Sequence, residues 1–366
     1  MNKLHLIRRT GNTLRRRILY YVTAVLVSLC IGAVLLVSLG INPLEYYKSI
    51  LSIGLIGNKY PSKIIEGFLK VFVPLLMVSM ALALSFKMRF WNIGGEGEFL
   101  IGAFCATAVA FNCGDMPRPV VLLLMCLAAI ISSGVIGILV ALLKCRFNTN
   151  ETLITLMLNY IVLYFVDFFG KTKAPWNYFL KEDSERPMFK QFPDNAAMPG
   201  IKIGNFNLLY SVIITVILTV IIYIYLKYTK HGYEIAVVGD SIDTARYAGI
   251  KVNKVILRTM FMSASLIGLA GAFAASTAST ISTSITNNAG WTGIVVAWLS
   301  KLSIPGILIT SFLISILQYG CQAASMAYPA IDHNFADLLQ GIILFCVLVS
   351  DFLVTFKIAR RQEVAQ

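Results

Sequence analysis

Charged side chains are scarce in this 366-residue chain: 13% are Asp, Glu, Lys or Arg, where a soluble protein carries roughly 25%. That shortage leaves too little polar surface for a water-soluble fold of this length. Other absences narrow the class further. No Gly triplet repeat exists and the apolar content is too high for a disordered chain, which excludes collagen-like and unfolded classes. Histidine occurs three times, as His5, His231 and His333, far apart and each in an expected flank or loop, so no metal site is spelled out. The seven cysteines, Cys30, Cys105, Cys113, Cys126, Cys145, Cys321 and Cys346, are odd in number, contain no CxxC pair and mostly sit in apolar runs. They read as buried filler rather than as disulfide staples.

A nucleotide cradle is also missing. Gly170-Lys171-Thr172 imitates the end of a P-loop, but Phe165 stands where its first glycine belongs. Gly95 and Gly97 do not complete GxGxxG, because Leu100 fills the last position and no βαβ pattern surrounds it. No cofactor is expected. A chain that moves solute uphill without a nucleotide site draws on an ion gradient or on a separate ATPase.

Hydrophobic residues supply 57% of the sequence, with a mean hydropathy of +0.76. A spanning helix needs about 20 apolar residues to cross roughly 30 Å of hydrocarbon. Hydropathy and breakers mark ten such segments, near 18–40, 64–86, 93–111, 119–143, 150–169, 207–227, 255–275, 288–300, 304–322 and 335–356. The sequence therefore predicts an all-α polytopic membrane protein. The net charge of +13 reflects topology rather than nucleic acid binding. Lys3, Arg8, Arg9, Arg15, Arg16 and Arg17 precede the first apolar run with no acid among them, as on a cytoplasmic flank. Residues 18–40 begin like a signal peptide but are too long and lack an A-x-A site, so a retained anchor is expected. Lys87, Arg89, Lys144, Arg146, Lys301, Lys357, Arg360 and Arg361 fall on the same side in a ten-crossing count, placing both termini inside.

A polar stretch at 170–205, with Pro175, Pro187, Pro193, Pro199 and the charged run Lys181 to Arg186, divides the segments five and five. The expected organisation is one transmembrane domain over 1–366. It consists of a first five-helix half at 1–169, an extracytoplasmic loop at 170–205 and a second half at 206–366. An odd number per half inverts the second relative to the first, as in inverted-repeat transporters. The third segment of each half is short and glycine-broken. Each starts on N-x-G-x-x-G: Asn92-Ile93-Gly94-Gly95-Glu96-Gly97 and Asn288-Ala289-Gly290-Trp291-Thr292-Gly293. Glycines permit close helix packing; discontinuous helices lining a solute pathway are the functional alternative, because irregular backbone is tolerated at membrane depth only where it is buried in protein or lines a cavity.

Glu96 and Glu98 either pair with Lys87 and Arg89 at the interface or shape a polar pathway. Asn159, Asp167, Gln318, Gln322, Asp337 and Gln340 suit helix-to-helix hydrogen bonds. Trp91, Trp291 and Trp298 suit membrane-edge anchors, or a stacking surface for a planar solute. Trp291 has the better neighbours for the latter, with Asn288 and Thr292 beside it. After the sixth segment, Lys230 to Gly239 reads as an ordered loop. A short helix then follows, with Asp240 as its cap, Asp243 in its first turn and Gly249 at its end. Ala245, Ala248 and Gly249 form a small-residue face and Asp243 and Arg246 a charged one, a shape that fits a partner's cleft.

Taken together, FWNIGGEGEFLIGA (Phe90 to Ala103), NETLITLMLNYI (Asn150 to Ile161), HGYEIAVVGDSIDTARYAGI (His231 to Ile250), WTGIVVAWLSKLSIPGI (Trp291 to Ile307) and ADLLQGIILFCVLVSD (Ala336 to Asp351) resemble the inner-membrane permeases of bacterial ABC importers for nucleosides and simple sugars, within the branched-chain amino-acid permease family. The likeness covers nearly the whole chain. It implies that Asp240 through Ile250, including Tyr247, docks onto an ATP-binding cassette protein. The outer Ala174-Pro175-Trp176 resembles the nucleoside branch, which implies a tandem ATP-binding protein, a second homologous permease and a substrate-binding lipoprotein as partners. Where the family commonly carries glutamine after Gly-Glu-Gly, this chain has Glu98. The rival reading from the residues alone is an ion-coupled secondary transporter; a membrane enzyme is disfavoured by the lack of a catalytic cluster.

Overall fold

The computed structural model describes residues 4–8, 14–54, 61–181, 184–328 and 333–360. Lys3, Arg9, Arg361 and part of the charged run at 181–186 lie outside the described residues. Thirteen α-helices run through the described chain, with four short strands. They form two compact units, residues 1–64 with 316–366, and residues 65–315.

In the first unit, strand β1 (Leu4–Arg8) pairs antiparallel with β4 (Phe356–Arg360), closing the two chain ends on each other. Helix α1 (Leu14–Ser38) packs along α13 (His333–Thr355), and the Tyr21 hydroxyl donates to Asp351 at 2.7 Å. Helix α2 (Pro43–Gly54) is a surface-length amphipathic element that hydropathy passes over. Its Tyr46 is fully buried with Leu36, Cys321, Ala324 and Leu339, meeting the Tyr47, Tyr328 and Phe335 rings edge-on.

The second unit is built on α4 (Gly95–Asn112), α5 (Arg118–Phe147) and α10 (Val252–Ala278), which pack mutually. Their contact faces carry small residues. A side-chain carbon on Gly102 would collide with the Gly268 backbone, and one on Gly137 with Ala264, so backbones approach as apolar helices do where shape complementarity supplies the attraction. Helix α6 (Glu151–Lys171) follows α5 after a turn in which Asn150 caps its first turn, accepting from Leu153 N at 3.3 Å. Helix α3 (Pro61–Lys87) and α12 (Ile304–Ala327) each run through a boundary between the units.

The stretch at 170–205 is less solvated than its polar composition suggests. Phe179, Phe192 and Ala196 are buried against the ends of α4, α5 and α6, and a hairpin of β2 (Gly200–Ile203) and β3 (Phe206–Leu209) leads into α7 (Tyr210–Tyr228). Helices α8 (Lys230–Asp240) and α9 (Ile242–Tyr247) separate α7 from α10, and α11 (Ala289–Leu299) completes the unit.

Among the described residues eight helices are long and apolar enough to cross a membrane: α1, α3, α5, α6, α7, α10, α12 and α13. The remaining two of the ten expected segments are α4, of 18 residues, and α11, of 11. These are the two glycine-broken segments of the sequence. The second and seventh of the ten segments, α3 and α10, are each 27 residues long, and these two are the most buried of the eight.

Candidate functional site

The two N-x-G-x-x-G motifs meet. Helix α4 begins at Gly95 and α11 at Ala289, and a Cβ on Gly95 would lie 3.3 Å from the Gly290 Cα, while one on Gly290 would lie 2.5 Å from the Glu96 nitrogen. No side chain fits on Gly290 at this separation and one on Gly95 would be tight, so the glycines let the two helix starts cross this closely. The crossing leaves first-turn N–H groups of α11 without intrahelical partners, and Glu96 of α4 supplies them. Its Oε1 accepts from Gly290 N at 2.9 Å and from Trp291 N at 3.4 Å, and Thr286 also hydrogen-bonds this carboxyl. A carboxylate at a helix N-terminus is favoured by the helix dipole. One broken helix thus caps the other.

The unwound residues before α4 are clamped by α6. Asn159 donates to the Ile93 carbonyl at 2.8 Å and accepts from Gly97 N at 2.8 Å, and Thr155 Oγ1 accepts from Ile93 N at 3.1 Å. Asn92 accepts from Gly94 N at 3.0 Å and its amide donates to both oxygens of Glu98, at 3.0 and 3.1 Å. Glu98 is 2% exposed, and its carbonyl accepts from Ser133 of α5 at 2.7 Å. Glu96 and Glu98 therefore belong to the protein interior: among the described residues no ion pair joins either to Lys87 or Arg89. Asn159 makes the helix-to-helix bond expected of it, whereas Asp167 pairs with Lys171 on its own helix at 2.7 Å.

Asn92, Gly94, Gly95, Gly97, Gly290, Thr292 and Gly293 are all buried at or beside this crossing. Asn288 and Trp291 are exposed. Asn288 takes a left-handed backbone at φ 56° and its carbonyl accepts from Thr292 N at 2.9 Å. Thr155, Ser133 and Thr286 are the partners that sequence reasoning missed; isolated hydroxyls in apolar helices carry no pattern that separates them from their neighbours. Trp91 and Trp298, treated singly in the sequence, are a pair: their rings stack at 5.0 Å between centroids and 13° between planes.

The segment after α7 is helix rather than loop. Thr229 caps α8, accepting from Gly232 N at 3.2 Å, and Gly239 of α8 lies so close to the Lys87 carbonyl at the end of α3 that no side chain fits between them. Glu234 accepts from Arg258 of α10 at 3.0 Å. Partial burial pushes the Glu234 carboxyl up, but hydrogen bonds from Arg258 and His231 outweigh it and hold the group below the usual glutamate range.

Two expectations for α9 are corrected here. Its cap is Ser241, which accepts from Thr244 N at 3.2 Å, while Asp240 is the last residue of α8; serine's short hydroxyl reaches back to the first turn as the preceding helix ends. Ala245 is fully buried rather than outward, because the hairpin folds back on the unit. The exposed residues are Ile242, Asp243, Thr244, Arg246, Tyr247, Ala248 and Gly249. Asp243 lies in the first turn as expected and faces Arg246 at 3.5 Å. Gly249 ends the helix as expected, at φ 74°, with Gly249 N donating to Arg246 O and Ile250 N to Ala245 O, both at 3.0 Å. This is the paired-bond arrangement that favours glycine at its left-handed position.

Residues 64–348 match the family described as branched-chain amino acid transport system, permease component. The chain is 28% identical over 345 residues to a nucleoside ABC transporter permease of Lactococcus lactis, covering 92% of each sequence. It is 24% identical over 347 residues to a guanosine ABC transporter permease of Bacillus subtilis, covering 93% of this chain and 95% of that one. A glucose ABC transporter permease of Haloferax volcanii is 24% identical over 352 residues, covering 92% and 88%.

Proposed function

The chain belongs to the family of permease components of branched-chain amino acid transport systems, and on that premise we propose that it is the membrane subunit of an ATP-driven importer of nucleosides. The observation that carries the cargo class is similarity along almost the full length of both sequences to permeases for nucleosides and for guanosine. The glucose relative makes simple sugars the second cargo class. ATP is hydrolysed by an ATP-binding cassette partner, a tandem double-domain protein, and the α8–α9 hairpin receives its motion. In favour of that role, α9 exposes Ile242, Asp243, Arg246 and Tyr247 on a hairpin seated directly against α3 and tied to α10.

A second, homologous permease completes the pathway and a lipid-anchored binding protein delivers the solute. The protein resides in the bacterial inner membrane with both termini cytoplasmic, its two five-helix halves inverted. The solute path passes the exposed side of the α4–α11 crossing, at Asn288 and Trp291, and the buried residues of the crossing fix its geometry.

Uptake of labelled uridine and guanosine by cells lacking and regaining this chain tests the reading. The expected result is uptake that depends on the chain and is displaced by excess unlabelled nucleoside but not by glucose. Unchanged nucleoside uptake in its absence overturns the cargo assignment.

A further inference from the structure

Helix α11 is bracketed by two strained joints. Asn287 and Asn288 before it, and Lys301 and Leu302 after it, all have φ between 47° and 56°. Asparagine tolerates this region, but lysine and leucine pay a steric penalty there, and such strain gathers at working parts of proteins. Between the joints, α11 is a short rod that starts at the Gly95–Gly290 crossing and carries Trp298 about 12 Å further along, at 1.5 Å per residue.

Trp298 lies face to face with Trp91, which comes from the unwound stretch leading into α4. Phe86, in the last turn of α3, backs both indoles at 5.8 and 6.0 Å. Trp91 remains 43% exposed and Trp298 42%, so the stack presents open aromatic surface. The turn that holds Trp91 is itself strained, with Arg89 at φ 57°, and its first residues touch α8: Gly239 rests on the Lys87 carbonyl. Displacement of the α8–α9 hairpin would therefore act on the turn that positions Trp91, four residues away.

We propose that Trp91 and Trp298 form an aromatic clamp for the planar heteroaromatic ring of the solute, closed on itself in this structure and opened by movement of α8 against the Lys87–Trp91 turn. The inference rests on the nucleoside reading above. A membrane-edge anchor is the competing role, but an anchor works as a lone indole with its N–H among headgroups. Stacking two rings hides one face of each from lipid and requires both segments flanking the crossing to be held in register. Two parallel indoles offer a base the stacking surface it would otherwise find on its neighbours in a nucleic acid.

The test uses the full chain in lipid nanodiscs, with the fluorescence of Trp91 and Trp298 taken as the difference between the unaltered protein and a Trp91→Phe, Trp298→Phe variant. Saturable quenching by uridine and guanosine, with no response to ribose, is expected. In cells, Trp298→Ala should lower nucleoside uptake about tenfold, and Trp298→Phe should retain most of it. Quenching by brominated lipid chains but not by uridine, or full uptake by Trp298→Ala, overturns the clamp while leaving the cargo reading intact. Failure of the unaltered chain to support nucleoside uptake sinks the cargo reading, and the clamp with it.

Discussion

Asn159 shows how single side chains hold the broken region together. Its amide satisfies an acceptor on Ile93 and a donor on Gly97, and a buried polar group left without its partner costs about 1–3 kcal/mol. Asn159→Ala strands both groups, so its apparent melting temperature in detergent should fall by several degrees; an unchanged melting curve would mean that the unwound stretch is supported elsewhere. The glycines of this site were legible in the sequence because their spacing repeats in two places, and the carboxylates because charge is rare inside an apolar segment. Their partners were not: Thr155, Ser133 and Thr286 acquire their roles only when α6, α5 and the approach to α11 are brought against α4. The same proximity removes Glu96 and Glu98 from the charged flank where Lys87 and Arg89 suggested they belonged.

Helices set the next scale. All ten apolar segments appear as helices near their expected bounds; in the eight of spanning length, about 20 apolar residues in a row leave little alternative. The elements that sequence passed over are those whose stability is tertiary. Helix α2 buries Tyr46 against α12 and α13 residues. Helix α8, with glycines at both ends of KHGYEIAVVGD, relies on close contact with the end of α3 and on the Glu234–Arg258 pair. The exposure of α9 then decides what its substitutions do. Tyr247 is 93% exposed, so Tyr247→Ala should insert and melt normally while reducing ATP-driven uptake. Ala245→Arg forces a charge into a closed site and should instead reduce folded yield. Size-exclusion profiles alongside uptake separate the two, and equal folded yields would contradict the burial of Ala245.

At the scale of the whole molecule, the sequence pattern and family membership converge on a permease whose glycine-opened helices cross at Gly95 and Gly290. Ion-coupled transporters also use discontinuous helices, so the crossing alone does not identify the energy source. Under the proposed coupling role the α8–α9 hairpin separates the two accounts, because on that proposal force arrives through it from another polypeptide. Reconstitution into proteoliposomes tests this most directly: uridine accumulation is measured with the chain alone under proton or sodium gradients, then with its ATP-binding, permease and binding-protein partners and ATP. Accumulation only in the complete, ATP-supplied vesicles is the predicted result; uphill uptake by the chain alone on an ion gradient would contradict the account.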